Sequence, residues 1–154
     1  MAEGGGGPHV QVAVFVDRFI RGAQSGSLSL INIIDGATMV GEDPNEMPPF
    51  SLGHLTIVIG LWAGQTKGRY TVSLRPEQPS GVQGELIPLG SVNFPDTGAR
   101  GVDIIQQMSY EVSEEGTYWF DVLFSPGAGQ DDRALTRIPL RVAYQPQPTS
   151  GHSA

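Results

Sequence analysis

The sequence predicts an all-β protein, a single antiparallel β-sandwich of about seven to nine strands. Three observations carry that expectation. Apolar side chains recur at every second position along several segments, the period of an extended strand with one buried face. The 154-residue chain contains 21 glycines and 12 prolines, which punctuate it at short intervals as turns do. Charged residues make up only 16%, too few for a coiled coil or a long helical bundle.

The strands follow in order. Val10, Val12, Val14 and Val16 alternate with Gln11, Ala13, Phe15 and Asp17, which predicts a first strand with the valines facing the core. A Gly/Ser-rich turn leads to a second apolar run, Leu28 to Ile34, ended by the turn pair Asp35-Gly36. In the third, Leu55, Ile57, Ile59 and Leu61 face inward, and Thr56, Val58, Gly60 and Trp62 outward. Gly64 to Gly68 then turn the chain into Tyr70, Val72 and Leu74, with Arg69, Thr71, Ser73 and Arg75 on the water side, which reads as a hairpin. Short strands around Val82–Leu86 and Ser91–Phe94 are cut by Pro88 and Pro95, residues suited to edges and bulges. Val102, Ile105 and Ser109 could lie on one helical stripe, but no cap precedes them and the chain is otherwise β-rich, so Val102–Val112 is read as strand. Tyr118, Phe120, Val122 and Phe124 alternate with Trp119, Asp121, Leu123 and Ser125, and a Gly/Asp turn leads to Ile138, Leu140, Val142 and Tyr144. Residues 9–144 are thus one domain, between a flexible Gly-rich tail (1–8) and a flexible Pro/Ser-rich tail (145–154).

Glu114-Glu115-Gly116-Thr117-Tyr118-Trp119-Phe120 resembles the corner before the penultimate strand of immunoglobulin-like sandwiches, where a Tyr stands two residues before a core position. The resemblance makes Tyr118 the corner tyrosine and puts Phe120 where antibody domains carry cysteine. A wider likeness rests on the first strand ending in Asp17, the run Gly26-Ser27-Leu28-Ser29-Leu30-Ile31-Asn32-Ile33-Ile34-Asp35-Gly36, then Met47-Pro48-Pro49-Phe50 and Glu115-Gly116-Thr117-Tyr118. In these features the chain resembles a widespread bacterial family of small all-β proteins classed as a domain of unknown function. The likeness spans residues 10 to 143. Its motifs are packing and turn residues, so it implies a fold and no catalytic role.

Composition excludes several functions. Nine basic against 16 acidic residues give a net charge of −7, which repels phosphate backbones and argues against nucleic acid. Cysteine is absent, so disulfides and Cys-based metal sites are excluded. No apolar run reaches transmembrane length, and residues 1–8 lack the basic and apolar regions of a signal peptide. A cytoplasmic protein without membrane contact is expected. No Gly-x-Ser-x-Gly elbow occurs, because Ser25 sits one place late in Gly22-Ala23-Gln24-Ser25-Gly26. Lys67 is the only lysine and follows no phosphate-binding glycine loop. Of three histidines only His54 lies inside the body, His9 being at its entrance and His152 in the tail. A lone His at a strand start is more often a solvated or packed side chain than a catalyst. Neither a catalytic residue nor a cofactor is assigned.

Two features bear on binding. Glu42, Asp43 and Glu46 offer hard oxygen donors in one loop, but the EF-hand pattern fails at Pro48 and His54, and charged loop tips also serve solubility. Glu111-Glu114-Glu115 and Asp131-Asp132 invite the same reading. Arg69, Arg75, Arg137 and Arg141, facing water from edge strands, fit protection against sheet-to-sheet aggregation. More telling are the large apolar side chains out of phase with the core: Phe15, Phe19, Val58, Trp62, Trp119 and Leu123. Either the Gly36–Phe50 segment, with Met39, Val40, Met47 and Phe50, covers them, or they form an interaction face. The expected function is a non-enzymatic binding or assembly module, contacting a protein partner or a second copy through an outer face carrying Phe15, Trp62, Trp119 and Leu123 or through the loops at the sandwich end. A Ca²⁺- or ligand-binding loop end is the alternative, and an enzyme with a carboxylate site a more remote one.

Overall fold

The computed structural model describes residues 8–23, 27–94, 101–126 and 133–146. Nine strands run along it: β1 (His9–Arg21), β2 (Leu28–Ile34), β3 (Gly36–Gly41), β4 (Phe50–Trp62), β5 (Gly68–Glu77), β6 (Ile87–Phe94), β7 (Gly101–Val112), β8 (Gly116–Ser125) and β9 (Arg133–Pro146). Two sheets form, one ordered β2-β1-β4-β7 and the other β3-β9-β8-β5-β6. The second curls into a half-barrel. Residues 1–7 and 147–154 of the expected tails lie outside the described residues, while Gln145 and Pro146 belong to β9, opposite Val40 and Gly41.

Every pairing is antiparallel but one. β3 runs parallel to β9, so the Gly36–Phe50 segment begins as a sheet edge and not as a flap over outward aromatics. Met39, Met47 and Phe50 from this segment pack against the core between the sheets. The expected hairpin at Gly64–Gly68 is absent. β4 and β5 lie in different sheets, and the tight turn, closed by Thr66 N–H donating to the Ala63 carbonyl at 2.9 Å, carries the chain from one sheet to the other. Gly64 and Gly68 take φ values of 61° and 99° there, which only glycine adopts freely. Val82–Leu86 forms no strand, only an isolated bridge from Gln83 to Glu77. Val102–Val112 is strand, as its missing cap suggested, and Pro88 sits beside a bulge on edge strand β6, a place that tolerates proline.

The core lies between the sheets and is rich in aromatic rings. Phe15 meets Phe120 edge-on at 5.1 Å, Tyr110 meets Phe120 at 5.2 Å, and Tyr70 stacks on Phe124 at 4.4 Å. Each such pair adds about 0.5–1.5 kcal/mol beyond area burial. Tyr118 fixes the β7–β8 turn. Its buried hydroxyl accepts from the N–H groups of Ser113 and Glu114, both at 3.1 Å, and donates to the Glu114 carbonyl at 3.0 Å. A phenol thus satisfies three backbone groups that the turn leaves without ladder partners.

Phe15 corrects the phase of the first strand. A bulge between Val10 and Val12, opposite Leu61 and Gly60, inserts one residue into β1. Val10 faces the core before it, and Ala13 and Phe15 do so after it. Val12, Val14 and Val16 therefore point to the outer face of the four-stranded sheet. A one-residue slip exchanges the two faces of a strand.

Candidate functional site

The outer face of the four-stranded sheet is not open. β1 pairs with β4 only as far as Val16, opposite Thr56, while its pairing with β2 continues to Arg21. Were β1 straight, Arg21 would lie far from β7's N-terminal half. Instead the Arg21 guanidinium reaches the Asp103 carboxylate at 3.4 Å. The β1–β2 hairpin beyond Val16 therefore bends back over the sheet as an arm. The bend sits at Asp17 and Asn32. These two are missing from the regular register, Asn32 takes φ 58°, and its amide donates to Asp17 at 3.5 Å. Beneath the arm, Val16 and Val58 are fully buried although they point away from the core between the sheets. Asp17, Arg18 and Phe19 of the arm share an open depression with Thr56, Ile105 and Gln107 of the sheet.

The arm is also where apolar surface concentrates. Phe19 and Ile20 on the arm are 39% and 55% exposed, Ile33, opposite Val16 at its root, is 59% exposed, and Trp62 is 41% exposed; Val40, Val82 and Leu86 are exposed elsewhere. Trp62 stands two residues beyond Gly60, on the face of β4 where Gly60 adjoins Asp103, so it lies toward the arm's tip.

The predicted contact residues do not form one surface. Phe15 is in the core for the reason given above, and Leu123, at a bulge in β8, is only 3% exposed; neither side chain can offer itself to a partner. Trp119 is half-buried on the outer face of the five-stranded sheet, with the Arg137 guanidinium carbon 4.9 Å from its ring centre. Trp62 alone of the four is well exposed. Of the wider set, Val58 is covered by the arm and Phe19 belongs to it. No sequence reading identified Ile20 and Ile33; their signal was an apolar pair of strands with neither a charge in Leu28–Ile34 nor a glycine at the bend.

The opposite face carries an ionic cluster. Asp121, almost fully buried, accepts from Arg137 Nε at 2.6 Å and from Arg75 at 3.0 Å, and Arg137 also reaches Glu77 at 3.0 Å. Burial pushes the Asp121 carboxyl up, but hydrogen bonds from Arg137 and then Arg75, with their charges, outweigh it and hold it below the usual carboxylate range. Arg137 is raised, chiefly by its hydrogen bond to Asp121. Arg75 and Arg137 are thus clasps on one carboxylate rather than free edge charges, and β5 is an interior strand. Pro139 lies in the half of β9 that β3 leaves unpaired.

The other polar candidates are dispersed. Asp43 caps its own loop by accepting from Asn45 N–H at 2.8 Å, Glu114 accepts from Ser80 and Glu115 from Tyr144 N–H. Asp131-Asp132 lie outside the described residues, as do His152 and Gly127-Ala128-Gly129. His54 is exposed at a bulge in β4, with φ 64°, beside Gln107, Met108 and Ser109. Among the described residues no three His, Asp or Glu side chains assemble as a metal site, and no helix is long and apolar enough to cross a membrane. Set against protein-family models and against curated protein sequences, the chain matches none of either.

Proposed function

We propose that the chain is a non-enzymatic binding or assembly module on an immunoglobulin-like sandwich, contacting a protein or a second copy of itself through the arm and its surroundings. The fold assignment is supported by strand order. β1, β4 and β7 face β9, β8, β5 and β6, the penultimate strand is central, and Tyr118 stands on it two residues before the core residue Phe120. One observation carries the functional reading: Phe19, Ile20, Ile33 and Trp62 are exposed on and beside one element, the β1–β2 arm. Large apolar side chains gathered in this way mark interaction sites more often than scattered ones do.

Ile20→Ser and Trp62→Ser remove exposed apolar surface without touching the core. Both variants should keep the wild-type melting temperature and lose the complex or dimer, read by light scattering and affinity capture. A wild-type chain that remains monomeric at high concentration and captures no partner contradicts the reading.

A further inference from the structure

A second surface, separate from the arm, lies where the four-stranded sheet ends. We propose that the free edge of β7 takes up an extended segment of another protein, with apolar residues at alternate positions and a lysine or arginine set against Glu111. β7 is laddered to β4 alone, so its other side presents unpaired backbone groups. The remaining edges suit an added strand less. β6 has a bulge between Pro88 and Gly90, β3 has only 6 residues, and β2 is interrupted at Asn32. β7 runs for 12 residues without proline, and the extra residue of the bulge it shares with β4 belongs to β4, between Leu52 and Leu55. Long, regular edges of this kind are templates for pairing with another chain.

The core is also left open along this edge. Val102, Ile104, Met108 and Tyr110 face between the sheets but stay half-buried, whereas Ile57, Ile59 and Leu61 of neighbouring β4 are fully buried. A strand laid beside β7 covers that row with its own alternate side chains while bonding the free backbone groups. Charge decides what the strand is. β7 carries Asp103 and Glu111 on its outward row and no cation. Antiparallel pairing of two copies about Gln107 sets Asp103 against Glu111 twice, and like charges directly opposite each other are unfavourable; the net charge of −7 on each copy adds to the repulsion. Asp103 already holds Arg21. Glu111 is exposed and makes no ion pair among the described residues, and Glu114 follows closely. The edge thus disfavours its own copy and any acidic strand, and favours a cation at Glu111.

The probe is a short, end-capped peptide of alternating valine and threonine in which lysine replaces the last threonine, used at up to millimolar concentration. A second peptide carries glutamate in place of the lysine, and two further lysine peptides are N-methylated at one or the other set of alternate amides. Strand addition predicts that the wild-type chain binds the lysine peptide about fivefold more tightly than the glutamate peptide. Amides of β7 should gain protection from hydrogen exchange, and one of the two methylated peptides should fail because its edge donors are gone. Glu111→Lys, an exposed change, should reverse the preference between lysine and glutamate, while Ile20→Ser and Trp62→Ser bind as the wild type does. The inference is overturned if the lysine peptide does not bind, if both methylated peptides bind equally well, or if Glu111→Lys leaves the preference unchanged. Protection of the β7 amides in a wild-type dimer without peptide overturns it too, as does loss of peptide binding in Trp62→Ser, which would assign the peptide to the arm. Failure of the peptide alone leaves the reading of the arm standing.

Discussion

Tyr118 and Asp121 sit three residues apart on β8 and stabilise the molecule by different physics. Tyr118 joins hydrogen-bonding groups of a turn to the core through one buried hydroxyl. Tyr118→Phe preserves the ring and strands those backbone partners, so it should cost about 1–3 kcal/mol, read as a lower urea midpoint with an unchanged m-value. Asp121 stabilises by charge. Because its folded pKa lies below its unfolded value, its contribution is complete above the unfolded value, about 3.9, and disappears as pH falls through the lower, folded value. A urea midpoint that declines below about pH 4 in the wild type and is flatter there in Asp121→Asn is the expected result. Tyr118 was legible through the resemblance of the segment from Glu114 to Phe120 to the corner before a penultimate strand. The Asp121 cluster was not, since Arg75 comes from a strand whose adjacency to β8 only the fold establishes, and Arg137 was read as a water-facing edge charge.

At the scale of elements, strands were legible and their faces were not always so. Periodicity located β1, β4, β5, β8 and β9, but in β1 the bulge after Val10 reverses the parity that alternation assumes. β4 misled for a related reason. Its run from Leu55 to Leu61 is apolar on both faces, with Thr56 and Gly60 the exceptions, and all seven residues are buried; a nearly continuous apolar run is the mark of a strand covered on both sides. Connections were least legible. A Gly-rich turn suits a hairpin or a change of sheet equally well, and the parallel β3–β9 pair has no local signature. Close approach between β4 and β7 gives a prediction at this scale. A Cβ at Gly101 would stand 2.6 Å from the Leu61 carbonyl oxygen, a backbone atom that cannot step aside. Gly101→Ala should therefore destabilise by about 1–3 kcal/mol, measurable as a lower thermal midpoint.

For the whole molecule, the decisive feature is how the chain disposes of apolar surface in excess of one core. Between the sheets it builds an aromatic centre. Outside the four-stranded sheet it lays its own hairpin across Val16 and Val58, and the covering element in turn presents Phe19 and Ile20 to solvent, with Ile33 exposed at its root. Burial has been moved outward by one layer and left incomplete there, which is the physical basis for reading the arm as a contact element. The acidic net charge opposes unspecific clustering of such surface. Thiol reactivity in this cysteine-free chain tests the covering arm most directly. Val58→Cys and Ile33→Cys are labelled side by side with a maleimide under native conditions. With the arm across the sheet, the thiol at position 33 reacts at the rate of a free cysteine, and that at position 58 waits for the arm to open, slower by orders of magnitude. Equal rates at the two positions would mean that the outer face of β4 is bare, and the account of the arm would be wrong.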